Sequence, residues 1–212
     1  MSMVSAASSE VEQLMATKAE QRERTRAVIL ELATQAFAER GYAGVALEDL
    51  VAEAGLTRGA LYHHFGSKQA LFRAVLEAAQ ARVARAVEVA AAGASDPLAG
   101  FLDGCRAFLE ASLSPGVRRI LLVDGPAVLG WDDWRSGDLD TSAGLLDEGV
   151  AELAAAGVIA SHRLRTVATM ISGALNEVAV ANAAAADAPG EIDAAVETLA
   201  RMLTGLAPLD AA

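Results

Sequence analysis

Apolar positions recur at helical spacing along most of the chain. One face has apolar residues at i, i+3, i+4, i+7 and i+8, formed by Ile29, Leu32, Ala33, Ala36 and Phe37. A shorter face has apolar residues at i, i+3, i+4 and i+7, formed by Leu47, Leu50, Val51 and Ala54. These patterns predict two helices that end at Gly41 and Gly55, because glycine commonly closes a helix. No alternating run predicts a strand.

A short helix and a long helix are predicted next. Thr57 can cap a helix over about 58–64, Gly66 ends it, and Ser67 can cap a long helix over about 67–92. Residues 124–140, rich in Gly, Pro and Asp, are expected to be the least helical part, and residues 1–20 a mobile tail. Further helices are predicted at about 97–112, 115–123, 142–156, 162–186 and 191–206.

The composition supports an all-α protein. Hydrophobic residues make up 53% of the 212 residues and aromatic residues only 4%, while alanine accounts for 49 positions. Alanine favours helices over strands, and this apolar content excludes a disordered acidic chain. A single cysteine, Cys105, excludes an internal disulfide framework. Because no secretory pattern or bilayer-length apolar stretch is present, we expect a cytoplasmic protein with no membrane partner.

Residues 25–72 have the spacing of a helix-turn-helix, in which the short second helix of the pair enters the DNA major groove. Thr57 and Arg58 stand at the start of that helix, where free amides favour phosphate. Gly59 and Ala60 are small enough for close backbone approach. Lys68 in the next helix's first turn opposes the helix dipole, so we interpret it as a second phosphate site.

The same segment resembles the DNA-binding domain of the tetracycline-repressor (TetR) family. The resemblance rests on Ala36-Phe37, Gly41-Tyr42 and Leu47 to Leu50, and above all on the run from Ala54 to Lys68 (AGLTRGALYHHFGSK). It implies a homodimeric, ligand-responsive transcriptional regulator with a helical C-terminal sensing and dimerisation domain. It also implies the DNA-binding residues, with phosphate contact or support from Thr57, Tyr62, His64 and Lys68, and a base-facing surface of Arg58, Gly59 and His63. Arg26 is expected to anchor DNA together with Lys68, because a contact that the family usually makes at position 46 is missing.

The second helix departs from the family's pattern. A Ser or Thr usually stands three residues before the acidic residue of its first turn, and here that position is Ala46, before Asp49. The capping hydroxyl is missing, which costs about 0.5–2 kcal/mol in a like-for-like comparison. It also removes one expected DNA contact.

The net charge of −11 is unevenly distributed. Residues 18–73 carry eight basic and seven acidic side chains, a balance of +1, whereas residues 74–212 carry −10 and the first residues −2. Screening at physiological salt acts over roughly 8 Å, so bound DNA would interact mainly with the segment 18–73 and its net charge of +1. We therefore predict few phosphate contacts per subunit and weak non-specific binding.

Two apolar stripes near the C-terminal end are expected to pair with a second copy, with packing in the chain's own core as the alternative. They consist of Leu164, Val167, Ile171, Leu175 and Val178, and of Ile192, Val196, Leu199 and Leu203.

A mostly apolar effector is expected in a pocket lined by Phe101, Cys105, Phe108, Trp131, Trp134, Met170 and Asn176, although ordinary core packing would also explain each of these residues.

The domains are therefore expected to be a tail (1–20), a helix-turn-helix domain (21–66) and a helical sensing and dimerisation domain (67–212). We predict a regulator, most simply a repressor, that an unknown small molecule releases from a palindromic double-stranded DNA operator. An enzyme is disfavoured because the three histidines and one cysteine form no nucleophile–base pair or metal spacing. No cofactor or metal is expected, and the aspartates of 132–140 are interpreted as helix caps in a solvated loop. A dimerisation module with a vestigial DNA domain stays open as an alternative.

Overall fold

The computed structural model describes the backbone of residues 2–94, 96–139, 142–182 and 188–208, and their side chains except those of 2–16, 138, 139, 142 and 143. Within these residues the chain is helical, with no strand. One compact unit extends to Val75 and a second begins at Leu76.

The first unit consists of α1 (Ser2–Gly44), α2 (Leu47–Glu53), α3 (Arg58–Phe65) and the first turns of α4 (Lys68–Ala92). The axis of α1 breaks at Gly41, which has a φ of 72°, so the predicted helix end lies where the backbone leaves helical geometry. Through the residues of the predicted tail, the backbone of α1 is helical from Ser2 onward.

The core of the first unit contains the faces that the sequence predicts. Phe37, Leu50, Leu61 and Phe72 are fully buried, and Ile29, Ala33, Ala36, Leu47 and Val51 are buried around them. Gly55, with a φ of 64°, makes the tight turn between α2 and α3. This turn fixes how α3 leaves α2.

The second unit contains the rest of α4 and the helices α5 to α11. Their bounds are α5 (Pro97–Leu113), α6 (Pro115–Arg118), a π-helical turn (Arg119–Asp124), α7 (Gly125–Leu129), α8 (Trp131–Leu139), α9 (Ser142–Ala155), α10 (Leu164–Ala181) and α11 (Ala188–Thr204). Helix α5 packs against α9, α10 and α11. Asp96 caps α5, and its carboxylate accepts a hydrogen bond from the Ala99 N–H at 2.9 Å.

Residues 124–139 correct the expectation of an irregular segment. They form the end of the π-helical turn, then α7 and α8, separated by Gly130 with a φ of 83°. Pro126 lies in the first turn of α7, where a missing N–H removes no helical hydrogen bond, so proline does not interrupt the helix. Asp132 and Asp133 lie in the first turn of α8. Asp140 and the side chain of Asp138 lie outside the described residues.

Most residues of the two C-terminal apolar stripes are buried in the second unit itself. Ile171, Leu175, Ile192, Val196, Leu199 and Leu203 belong to its core, and Leu164, Val167 and Val178 pack against that core. None of the helices in the described part of the chain is long and apolar enough to cross a lipid bilayer.

The missing cap of α2 gives a first prediction. Ala46 has an extended backbone (φ −93°, ψ 136°) and makes no side-chain cap. Ala46→Ser should therefore raise the free energy of unfolding by about 0.5–2 kcal/mol, since the hydroxyl can accept a backbone N–H of the first turn. Urea denaturation followed by circular dichroism measures this change.

The matched control is Ala52→Ser, at an exposed position inside the same helix. Serine is a weaker helix former than alanine, so this control should leave stability unchanged or lower it. Equal effects of the two serines would contradict the capping explanation.

Candidate nucleic-acid interface and ligand cavity

The start of α3 is fixed by its cap. Thr57 is extended (φ −95°, ψ 152°), and its Oγ1 accepts a hydrogen bond from the Ala60 N–H at 3.3 Å. Leu61 and Phe65 are buried on one side of the helix, whereas Arg58, Gly59, Tyr62 and His63 are exposed on the other. The helix therefore presents its polar residues away from the core.

Arg58 is held in place by two neighbours. Its Nη1 lies 3.2 Å from Glu48 Oε1 of α2, and its Nη2 donates to the Tyr62 hydroxyl at 3.4 Å. The guanidinium carbon also lies 5.4 Å from the centre of the Tyr62 ring. The tyrosine hydroxyl is thus oriented toward a cation, and Tyr62 is 38% exposed rather than part of the core.

Two further cations rest on aromatic rings of the first unit. Lys68 Nζ lies 4.4 Å from the centre of the Tyr42 ring, and Arg26 Cζ lies 5.2 Å from that of Phe65. Such contacts stabilise by roughly 0.5–1 kcal/mol at exposed sites. The contact with Tyr42 gives Lys68 a role in stability, which the interpretation of Lys68 as a phosphate site did not include. The sequence shows Tyr42 directly after Gly41, but it does not show that the ring lies beside Lys68.

His64 differs from its exposed neighbour. Its Nδ1 is shielded from solvent and has no hydrogen-bond partner. Burial lowers the pKa of His64 below the ordinary value of 6.5; His63 and Arg22 lower it further, and Glu23 opposes them. The lowered pKa favours the neutral ring, so His64 is a poorer source of positive charge for phosphate than an ordinary histidine. The rings of His63 and His64 are 5.8 Å apart, and within the described residues no group of three His, Cys, Asp or Glu could hold a metal ion.

The second unit contains a cavity of about 460 Å³. Helices α4, α5, α9 and α10 line it, and of the seven residues predicted for a pocket, four do so: Phe101, Cys105, Phe108 and Asn176. The other three do not line this cavity. Trp131 and Met170 are 64% and 67% exposed, and Trp134 is buried beside a second, smaller cavity.

Close helix packing at glycines shapes the cavity wall. A Cβ on Gly149 of α9 would lie 2.9 Å from the Phe101 ring, and one on Gly100 would lie 3.1 Å from the Ala91 carbonyl oxygen. The sequence analysis did not predict that carboxylates line this cavity, because these carboxylates come from three separate segments of the chain. Glu88, Asp96, Glu148 and Glu152 all line the cavity, and no Lys, Arg or His in the described part of the chain does.

Two family models match the chain. Residues 29–75 match the model of bacterial regulatory proteins of the tetR family, and residues 98–206 match the tetracyclin repressor-like C-terminal domain. The second match alone covers more than half of the chain. The chain belongs to the TetR family of transcriptional regulators. The predicted family and the predicted all-helical architecture are thereby confirmed.

Known proteins of the TetR family agree with this assignment. A crystal structure of a TetR-family transcriptional regulator from Pectobacterium atrosepticum is 37% identical, with a TM-score of 0.75 over 90% of this chain and 97% of that chain. The HTH-type transcriptional repressor AcnR of Corynebacterium efficiens is 33% identical over 112 residues, 53% of this chain and 58% of that protein.

The HTH-type transcriptional regulator TtgR of Pseudomonas putida is 47% identical over 58 residues, 27% of this chain and 28% of that protein. The chain thus spans little more than half, or less, of the length of these curated relatives. TetR-family regulators bind DNA operators and small-molecule effectors and form dimers.

The buried thiol in the cavity wall gives a second prediction. Burial raises the pKa of Cys105 from 9.0 to about 12. The thiolate is the reactive form, so at pH 8 we expect Cys105 to react with Ellman's reagent about 1,000-fold more slowly than an unburied thiol. The rate should rise about tenfold per pH unit between pH 7.5 and 9.5.

Urea-unfolded protein is the control, because unfolding exposes the same thiol. It should react at the rate of free cysteine. A folded protein that reacts equally fast at pH 8 would contradict the raised pKa.

Proposed function

We propose that this TetR-family regulator represses transcription as a homodimer bound to a palindromic operator and that a mostly apolar small molecule releases it. The observation that carries the DNA-binding part is the exposed polar face of α3, directly after a glycine turn. A helix of this kind reads base edges in the major groove.

Gly59 supports this assignment. Glycine in a helix is destabilising by about 1 kcal/mol relative to alanine. Gly59 is exposed, has no positive φ, and an added Cβ would approach only Thr57 Oγ1, at 3.9 Å. Nothing within the unit therefore requires glycine here. Close approach of a partner such as DNA supplies a reason for it.

Phosphate contacts are proposed for Lys68, Arg26, Tyr62 and the start of α3. The Lys68 and Arg26 side chains lie beside aromatic rings, and Thr57 stands at the helix N-terminus. His63 and Arg58 are proposed to face the bases, and His64 to support them as a neutral ring.

Dimerisation is proposed through faces of α10 and α11 that the chain leaves exposed, rather than through the buried stripes. On α10, Met170 and Val180 are 67% and 50% exposed, and a Cβ on Gly173 would meet nothing within 4 Å. On and just after α11, Met202 and Leu206 are 55% and 40% exposed. Apolar side chains beside small residues allow a second helix pair to pack closely.

We propose that the effector binds in the 460 Å³ cavity and acts through α4. This helix carries Lys68 in its first turn and contributes Val87, Glu88 and Ala91 to the cavity wall. An effector that binds the DNA-incompetent arrangement more tightly shifts the population toward it.

The test of DNA binding starts from a duplex that the full-length protein selects from a random-sequence pool. At fixed salt, Tyr62→Ala and Lys68→Ala should each weaken binding to this duplex about 5- to 50-fold, because each removes a charge-assisted or polar backbone contact. Arg85→Ala removes an exposed charge from the second unit and should leave affinity unchanged. Selection of no sequence, or unchanged affinity of both variants, would overturn the proposal.

The test of the dimer face is Met202→Lys together with Met170→Lys. Burying two lysines in an apolar interface is costly, so the pair should shift the protein toward monomer in sedimentation velocity at micromolar concentration. Val89→Lys, at a position 70% exposed on α4, is the matched control. A double variant that sediments like the unchanged protein would place the interface elsewhere.

A further inference from the structure

A second cavity of about 20 Å³ adjoins the large one. Phe108 and Asn176 line both cavities, so the two cavities are neighbours. A space of this size holds one water molecule or one polar group of a ligand. The small cavity therefore has the position and size of an inner end of the large cavity.

The small cavity contains a polar group that the chain leaves unpaired. Ser112 is 1% exposed, and its Oγ has no hydrogen-bond partner. Gln80, 4% exposed, and Asn176 add two carboxamides to the same wall. Folded proteins pair nearly all buried polar groups with protein or water. A molecule from outside the chain could supply the hydrogen-bond partner that the Ser112 hydroxyl lacks.

The surrounding wall is tightly packed, so the unpaired hydroxyl does not result from a loose core. Trp134 Nε1 donates a hydrogen bond to the Leu121 carbonyl oxygen at 2.7 Å. A Cβ on Gly125 would lie 2.9 Å from the Trp134 ring. Leu121 belongs to the π-helical turn, and such turns are frequent at functional sites.

Charge restricts the group that can enter. Among the described residues, those that line the small cavity include no charged side chain. An ionised group placed there would lose its water without gaining a counter-charge. The carboxylates of the large cavity further disfavour an anion, and Arg135 donates a hydrogen bond to Ser172 Oγ at 3.1 Å. An uncharged donor or acceptor fits this environment.

We infer that the small cavity is the hydrogen-bonding subsite of the effector site, in which Ser112 binds an uncharged polar group such as a hydroxyl. The apolar body of the effector then occupies the large cavity against Phe101 and Phe108. The inference rests on the proposed function only in treating the large cavity as the effector site.

The test uses three probes with one skeleton: 4-phenyl-1-butanol, butylbenzene and 4-phenylbutyrate. Calorimetric titration of the full-length protein should give measurable binding of the alcohol and at least tenfold weaker binding of the carboxylate. Ser112→Ala should weaken binding of the alcohol about 3- to 10-fold, the effect of one hydrogen bond, and leave butylbenzene unchanged or bound more tightly.

The matched control is Ser114→Ala. The Ser114 hydroxyl donates to the Ala111 carbonyl oxygen at 2.8 Å, so its hydrogen bond is already made within the chain. This variant should leave the affinity for all three probes unchanged. Thermal unfolding of both variants checks that the fold is kept.

Three results would overturn the inference. Equal weakening of alcohol and hydrocarbon by Ser112→Ala would indicate a structural role for the serine. If Ser112→Ala binds the alcohol with unchanged affinity, the small cavity holds only water. Equal binding of carboxylate and alcohol would contradict the charge argument.

Binding of none of the probes would also overturn it, and would remove the large cavity as an apolar effector site. The selection of a DNA duplex is measured separately and does not depend on any probe. Failure of the subsite is thereby distinguished from failure of the proposed DNA-binding function.

Discussion

The packing of three aromatic rings determines the arrangement of the first unit. Phe37, Tyr42 and Phe72 lie 5.1 to 5.9 Å apart and join the end of α1 to the start of α4. Phe72 contacts the other two rings edge-on, and Phe37 and Tyr42 are stacked. Aromatic contacts of these kinds add to the free energy of burial and fix relative orientation. The outer face of Tyr42 carries Lys68. The core and the proposed DNA-binding surface are therefore stabilised by the same ring.

The first unit could be predicted almost completely from the sequence, and the second only in outline. Apolar spacing, Gly55 and the Thr57 cap together define α2 and α3, because each signal is local. A stripe such as that containing Ile171 and Leu175 has the same spacing whether it faces the chain's own core or a partner. Periodicity alone therefore could not locate the dimer face.

The effector cavity shows the same limit in another form. Phe101, Cys105 and Phe108 share one face of α5, so their proximity follows from helical spacing. Whether α8 presents Trp131 or Trp134 to that space depends on how helices pack, which no local signal records. The carboxylates of the wall belong to α4, α9 and the cap of α5, and only the fold brings them together.

The composition explains why such a cavity can form. Alanine- and glycine-rich helices approach closely at positions such as Gly100 and Gly149, but a chain with only 4% aromatic residues has few large side chains to fill the remaining space. An empty cavity reduces stability in proportion to its volume. A bound effector would restore the lost contacts and stabilise the folded state that binds it. An effector in this cavity would therefore stabilise the second unit through contacts that the chain's own side chains do not make.

The charge of the first unit sets how it would recognise DNA. Arg58 is already paired with Glu48 and contacts Tyr62, so part of its charge is neutralised before DNA arrives. Phosphates at an arbitrary site must compete with this pair, whereas a base that offers two acceptors to the guanidinium supplies a directional replacement. A balance of only +1 over residues 18–73 weakens the non-specific term further. The regulator would then be selective because it binds wrong sequences weakly and dissociates from them easily. Strong attraction to every DNA sequence would not give this selectivity.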